Sequence, residues 1–79
     1  MKKQPLVVRA VWDEEARVWI ATSDDVPGLA TEAATSEELI EKLKVMIPEL
    51  LNENGCDTDE DVPFRLQSEM LGVAHRSTA

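Results

Sequence analysis

Two hydrophobic periods divide this chain. Across residues 35–54, TSEELIEKLKVMIPELLNEN, a step of about 100° per residue gathers Leu39, Leu43, Met46 and Leu50 on one side, with Ile40, Ile47 and Leu51 beside them. Glu37, Glu41, Lys44 and Asn52 fall elsewhere, so the spacing predicts an amphipathic helix with one core-facing side. Thr35 stands where an N-cap is needed and Glu38 can answer it three residues on, a capping box worth roughly 1 kcal/mol. Asn54-Gly55 supplies the stop, because glycine tolerates the left-handed backbone of a helix terminus. Pro48 lacks the N–H that would bond the Lys44 carbonyl, a loss of about 3 kcal/mol in a helix interior. The helical wheel puts it on the outer face, where water can reach the freed carbonyl, and a kink rather than a break is expected.

The rest of the chain has the composition and alternation of strands. Residues 5–12, PLVVRAVW, are mostly β-branched or aromatic, with Arg9 the only charge, and predict an inner strand. The short polar stretch 13–16 separates them from residues 17–23, RVWIATS, and the two runs predict an antiparallel hairpin. Asp24-Asp25-Val26-Pro27-Gly28 ends in a strong turn pair. Residues 29–34, LATEAA, predict a weaker third strand, since alanine is depleted in sheets. In residues 62–70, Val62, Phe64, Leu66 and Met70 share one face, and Arg65, Gln67 and Glu69 the other, predicting a last strand with one wet face. The order β-β-β-α-β places the helix in a crossover that sets the last strand parallel to the first, on an edge of the sheet.

In the first strand Leu6, Val8, Ala10 and Trp12 point one way while Val7 and Val11 point the other; in the second, Val18 and Ile20 oppose Trp19 and Ala21. Both faces then read as apolar. One helix covers one face, so the other calls for a second subunit or a partner. A homodimer or higher oligomer is expected, with Leu66 and Met70 in its interface.

Size and charge narrow the function. The 79 residues make a single domain, near the size at which folding buries only about 60% of the unfolded chain's surface. The ordered core is expected over residues 5–73, with 74–79 frayed. A net charge of −8 argues against direct nucleic-acid binding, which needs lysine and arginine for phosphates, and favours a basic protein partner. No apolar run approaches the roughly 20 residues of a membrane span, and the stretch after Met1-Lys2-Lys3 is too short for a secretory signal, so a cytoplasmic location is expected.

The sequence offers little catalytic chemistry. Cys56 has no second cysteine for a disulfide or a metal site, and His75, the one histidine, has no acid or hydroxyl at a telling spacing. Asp57-Thr58-Asp59-Glu60-Asp61 resembles the start of a calcium loop, but Val62 stands where the turn glycine belongs and Ser68 where the bidentate glutamate belongs. A solvated acidic loop is the better reading. Asp13, Glu14 and Glu15 could act as paired carboxylates, yet acids crowded on a hairpin turn are usually just hydrated. Trp12 and Trp19 could stack on bases, but in so acidic a chain a core or interface role fits better. No catalytic residue, metal ligand or cofactor site is assigned, and the chain is expected not to be an enzyme.

One set of motifs carries a family resemblance. Val18-Trp19-Ile20-Ala21-Thr22, then Asp25-Val26-Pro27-Gly28-Leu29-Ala30-Thr31-Glu32, then Thr35-Ser36-Glu37-Glu38-Leu39 together resemble the HicB-like antitoxin family. The Met46-Ile47-Pro48-Glu49-Leu50-Leu51 run is similar to a short HicB-like subfamily carried as a domain of unknown function. The resemblance covers most of residues 6–55. It implies an α+β fold, a partial ribonuclease-H-like β-β-β-α-β sheet with one helix on one face. It also implies a non-enzymatic role, binding and masking a small basic messenger-RNA-cleaving toxin of the HicA type. Many members carry a C-terminal DNA-binding domain; nothing long enough follows the last strand here, so operator binding by this chain alone is not expected. Ribonuclease chemistry is not expected either, because it needs carboxylates converging on metals and Glu69 is the last strand's only acid.

Three readings follow. The first is an antitoxin-like module whose acidic residues Asp13, Glu14, Glu15, Asp24 and Asp25 meet the basic toxin. The second is a stand-alone structural or regulatory homo-oligomer. The third is a small metal-dependent nuclease.

Overall fold

The chain forms the elements its hydrophobic spacing predicts. A computed structural model describes residues 5–55 and 61–77. Its order is β1 (Leu6–Asp13), β2 (Val18–Thr22), β3 (Ala30–Ala33), α1 (Ser36–Glu53) and β4 (Phe64–Glu69). The strands make one sheet in the order β3-β2-β1-β4, with β1 antiparallel to β2, β2 antiparallel to β3, and β4 parallel to β1. This is the α+β arrangement expected, with the crossover through α1 placing β4 on the edge.

The core lies between the sheet and α1. Val8, Ala10, Ala21 and Ala33 face it from the strands, Val26 and Leu29 from the β2–β3 loop, and Leu39, Leu43, Ile47 and Leu51 from the helix. Ala10 and Ala21 lie opposite each other in the register. Alanines that propensity disfavours in a strand leave room here for the leucines of the helix. Trp12 and Trp19 are also cross-strand partners, packed edge to face with ring centroids 5.3 Å apart, both half-buried on the helix side.

The local devices are visible in the backbone. Thr35 has extended geometry and its hydroxyl accepts from the Glu38 N–H at 3.1 Å, so the Thr35 half of the predicted capping box is made. The helix runs through Pro48, which is exposed. It ends where the Asn54 N–H bonds the Leu50 carbonyl and the Gly55 N–H bonds that of Asn52, with Gly55 at φ +85°. At the hairpin, Arg17 takes a left-handed φ of 60° and its N–H reaches the Asp13 carbonyl at 2.7 Å.

The structure differs from expectation at two places. β4 begins at Phe64 rather than Val62 and stops at Glu69, so Met70 lies past the strand and exposed. Pro63 accounts for the late start: its carbonyl accepts from the Leu6 N–H at 3.0 Å, but it has no N–H to give the ladder. The face of the sheet away from the helix is also less apolar than the two central strands imply. Val11 is 54% exposed and Ile20 39% exposed there, while the strand parity places Arg9, Glu32, Arg65, Gln67 and Glu69 on the same side. Apart from Arg9 of β1, the flanking strands supply the charge, and periodicity read one strand at a time does not show it.

Candidate functional site

The acidic residues singled out in the sequence occupy opposite ends of the sheet. Asp13, Glu14 and Glu15 sit at the hairpin end. Asp13 is half-buried and its Oδ1 accepts from the Glu15 and Ala16 N–H groups at 3.0 and 3.2 Å, so it organises the turn. Glu14 pairs with Arg17 at 3.3 Å on the open surface, and Glu15 is exposed. An exposed pair of this kind contributes little to stability.

Asp24 and Asp25 lie at the other end and do different things. The Asp25 Oδ2 accepts from the Val7 N–H at 2.8 Å, the Ser23 hydroxyl donates to the Val7 carbonyl at 2.6 Å, and the Asp25 N–H donates back to Ser23 Oγ at 3.1 Å. These two side chains extend the β1–β2 ladder beyond its last backbone pair by satisfying the donor and acceptor of Val7. Asp25 is therefore a structural ligand of the sheet as well as a surface charge. Asp24 is exposed, and its carboxylate makes no hydrogen bond or ion pair among the described residues. Asp61 is exposed before β4, near the same end of β1; the rest of the acidic connection, Asp57, Asp59 and Glu60, lies outside the described residues.

The motif behind the family resemblance is architectural. Val26 is buried, the Leu29 N–H bonds the Val26 carbonyl at 3.1 Å, and Gly28 has φ +85°. Proline at the second position and positive-φ glycine at the third make this a type II turn. Asn54 Nδ2 then donates to the Pro27 carbonyl at 3.2 Å and to Leu50 at 2.9 Å, tying the turn to the end of α1. Replacing Asp25 by alanine is expected to destabilise the domain by about 1 kcal/mol, since the Val7 N–H loses its partner at a solvent-accessible site. The Asp25→Asn change keeps an acceptor oxygen and should cost less. Urea unfolding of Asp25→Ala and Asp25→Asn checks both, and equal stability of wild type and the alanine variant would remove Asp25 from the ladder.

Between the acidic ends lies a feature that no single stretch of sequence announces. A shallow cleft of about 430 Å³ is lined by Val7, Arg9, Thr22, Ser23, Asp24, Asp25 and Gln67. A second of about 350 Å³ continues along β1 and β4 past Arg9, Val11, Gln67 and Glu69. Arg9 borders both. Its position on the Val7–Val11 face was the available signal, but only the β1–β4 pairing brings Gln67 and Glu69 beside it. The outer side of α1 is mainly acidic, with Glu37, Glu38, Glu41, Glu49 and Glu53 exposed beside Lys42 and Lys44. Among the described residues no group of three or more His, Cys, Asp or Glu side chains is close enough to hold a metal ion, and no helix is long and apolar enough to cross a membrane.

The family model DUF1902, described as a domain of unknown function, matches residues 5–74. No curated protein matches the chain. The solved structure of hypothetical protein TTHA1013, from the extremely thermophilic bacterium Thermus thermophilus, is similar to it with 58% identity and a TM-score of 0.77, covering 90% of this chain and 100% of that one.

Proposed function

The chain belongs to the DUF1902 family of domains of unknown function, and we propose that within it the protein is a HicB-like, antitoxin-type binding module. It acts without catalysis, in the cytoplasm, by covering a small basic toxin of the HicA type. The observation that carries this reading is the placement of charge. Within a chain of net charge −8, carboxylates are displayed at both ends of the sheet and along the outer side of α1. Such a surface attracts a basic protein over distances of a Debye length, about 8–10 Å in physiological salt.

The reading requires a small basic protein encoded beside this chain's gene, and the test pairs the chain with that protein. The two purified proteins are expected to form a complex at micromolar concentration or tighter, and failure to do so overturns the proposal. Within that complex Asp24→Asn is expected to slow association a few-fold and to flatten its salt dependence, with dissociation little changed. Stopped-flow kinetics across a salt series measures this; unchanged kinetics would move the contact to the Asp13–Glu15 end or to α1. A stand-alone homo-oligomer is the second reading. It is favoured by the exposure of Met70, Leu71 and Val73 beyond β4.

A further inference from the structure

The two edges of the sheet are finished differently. β3 offers only four residues, and Lys42 Nζ donates to the Glu32 carbonyl, a blunted edge of the kind that resists pairing. β4 offers six, FRLQSE, with no proline, and among the described residues nothing pairs with its outer side. Beyond it Met70, Leu71 and Val73 are 55%, 93% and 75% exposed. Phe64 and Leu66, on the helix side of β4, are only half-buried.

Which backbone groups β4 leaves free follows from its pairing with β1. The Leu6 N–H bonds the Pro63 carbonyl, and Leu6 stands opposite Phe64. In a parallel ladder the residues on either side of a pairing partner make the bonds. Residues 63, 65, 67 and 69 therefore turn their N–H and C=O groups to β1, and Phe64, Leu66 and Ser68 present theirs outward.

The geometry points to a second copy of this chain as the occupant of that edge, with β4 antiparallel to β4 about a two-fold axis through Gln67. In this register Leu66 faces Ser68 and Phe64 faces Met70 of the second copy. The two Leu66–Ser68 pairs join residues with free backbone groups and exchange about four hydrogen bonds, and the Phe64–Met70 pairs add to these where Met70 continues the strand in the dimer. Arg65 then stands opposite Glu69 in non-hydrogen-bonded pairs, where side chains come closest. Moving the axis by one residue to Leu66 or Ser68 sets Arg65 against Gln67 or Leu71 and loses the charge match. The helix side gains Phe64 on Met70, the far side gains two Arg65–Glu69 pairs, and the two four-stranded sheets become one continuous sheet, β3-β2-β1-β4-β4-β1-β2-β3. Strand β4 is self-complementary in charge and in backbone polarity, and Phe64 meets the Met70 that follows the strand, which together suit an isologous interface. The inference does not depend on the toxin-binding reading, since it concerns the chain alone.

Sedimentation equilibrium of the purified chain is expected to show a dimer at micromolar concentration. Arg65→Glu places like charges opposite each other at two sites and should raise the dimer dissociation constant at least about tenfold. The exchanged variant Arg65→Glu/Glu69→Arg should restore it to within about threefold of wild type. A wild-type monomer overturns the proposal, as does a one-to-one complex with another protein through β4, and an unrescued or unaffected dimer overturns the register. In a Cys56→Ser background, Gln67→Cys provides a check that needs no loss of stability. Cα atoms about 4.5 Å apart at the axis lie within disulfide range, so mild oxidation should give a covalent dimer, while Asn52→Cys on the outer side of α1 should not. Equal cross-linking of the two, or none at position 67, overturns the pairing.

Discussion

Leu43→Ala is expected to cost about 2–5 kcal/mol of folding free energy, the range for a fully buried leucine truncated in a close-packed core. Leu43 has no exposed surface and sits in the middle of the helix face, between Leu39 and Ile47, which are equally enclosed. Its neighbours come from a rigid sheet on one side and from its own helix on the other, so collapse into the cavity is limited. At roughly 0.05–0.15 kcal/mol per residue, a domain of 79 residues holds about 4–12 kcal/mol in total. The substitution therefore removes a large part of the margin and should lower the melting temperature by about 12–30 °C. Val45→Ala, on the exposed side of the same helix, should change stability by less than about 0.5 kcal/mol. Thermal and urea unfolding at one fixed protein concentration compares them, because a dimer's stability varies with concentration. A loss below about 1 kcal/mol for Leu43→Ala would mean that α1 does not pack on the sheet as described.

Gly28→Ala is expected to cost about 1–2 kcal/mol, although an added methyl group has room. Its ideal position is 3.7 Å from Leu50 Cδ2, an ordinary contact. The penalty is in the backbone, because φ +85° turns the Cβ of an L-residue toward the carbonyl of the preceding residue. The turn also places Val26 and Leu29 in the core and holds the Pro27 carbonyl for Asn54. Relaxing φ would pull on all of these, so the cost is not easily evaded. Urea unfolding checks the value, and an alanine variant as stable as wild type would show that Gly28 can leave the positive-φ region freely.

Much of the fold is legible in the chain itself. The helix, its Thr35 cap, the hairpin and the Pro27-Gly28 turn each rest on short-range chemistry, and the edge position of β4 on the crossover rule. The candidate surface is legible only in part. The acids at positions 13–15 and 24–25 stand out as charge runs, but the division of labour between Asp24 and Asp25 does not. That division depends on the Val7 N–H lying 2.8 Å from one carboxylate, a contact across 18 residues of chain. Arg9 is visible as the single charge of its strand, with nothing to say what would lie beside it.

The sequence by itself determined the period of each segment, the places where the chain must turn, and the sign of the surface. These depend on a residue and its neighbours within a turn or two, through side-chain volume, backbone preference and charge. Only the tertiary structure decided that Arg9, Gln67 and Glu69 share an open face, that the D-x-P-G loop completes the β1 ladder, and that Phe64, Leu66 and Ser68 hold free backbone groups at the edge. Each of these depends on strand order and register. Register is set by the whole apolar face of the sheet closing on α1, a cooperative condition that no single stretch of sequence contains.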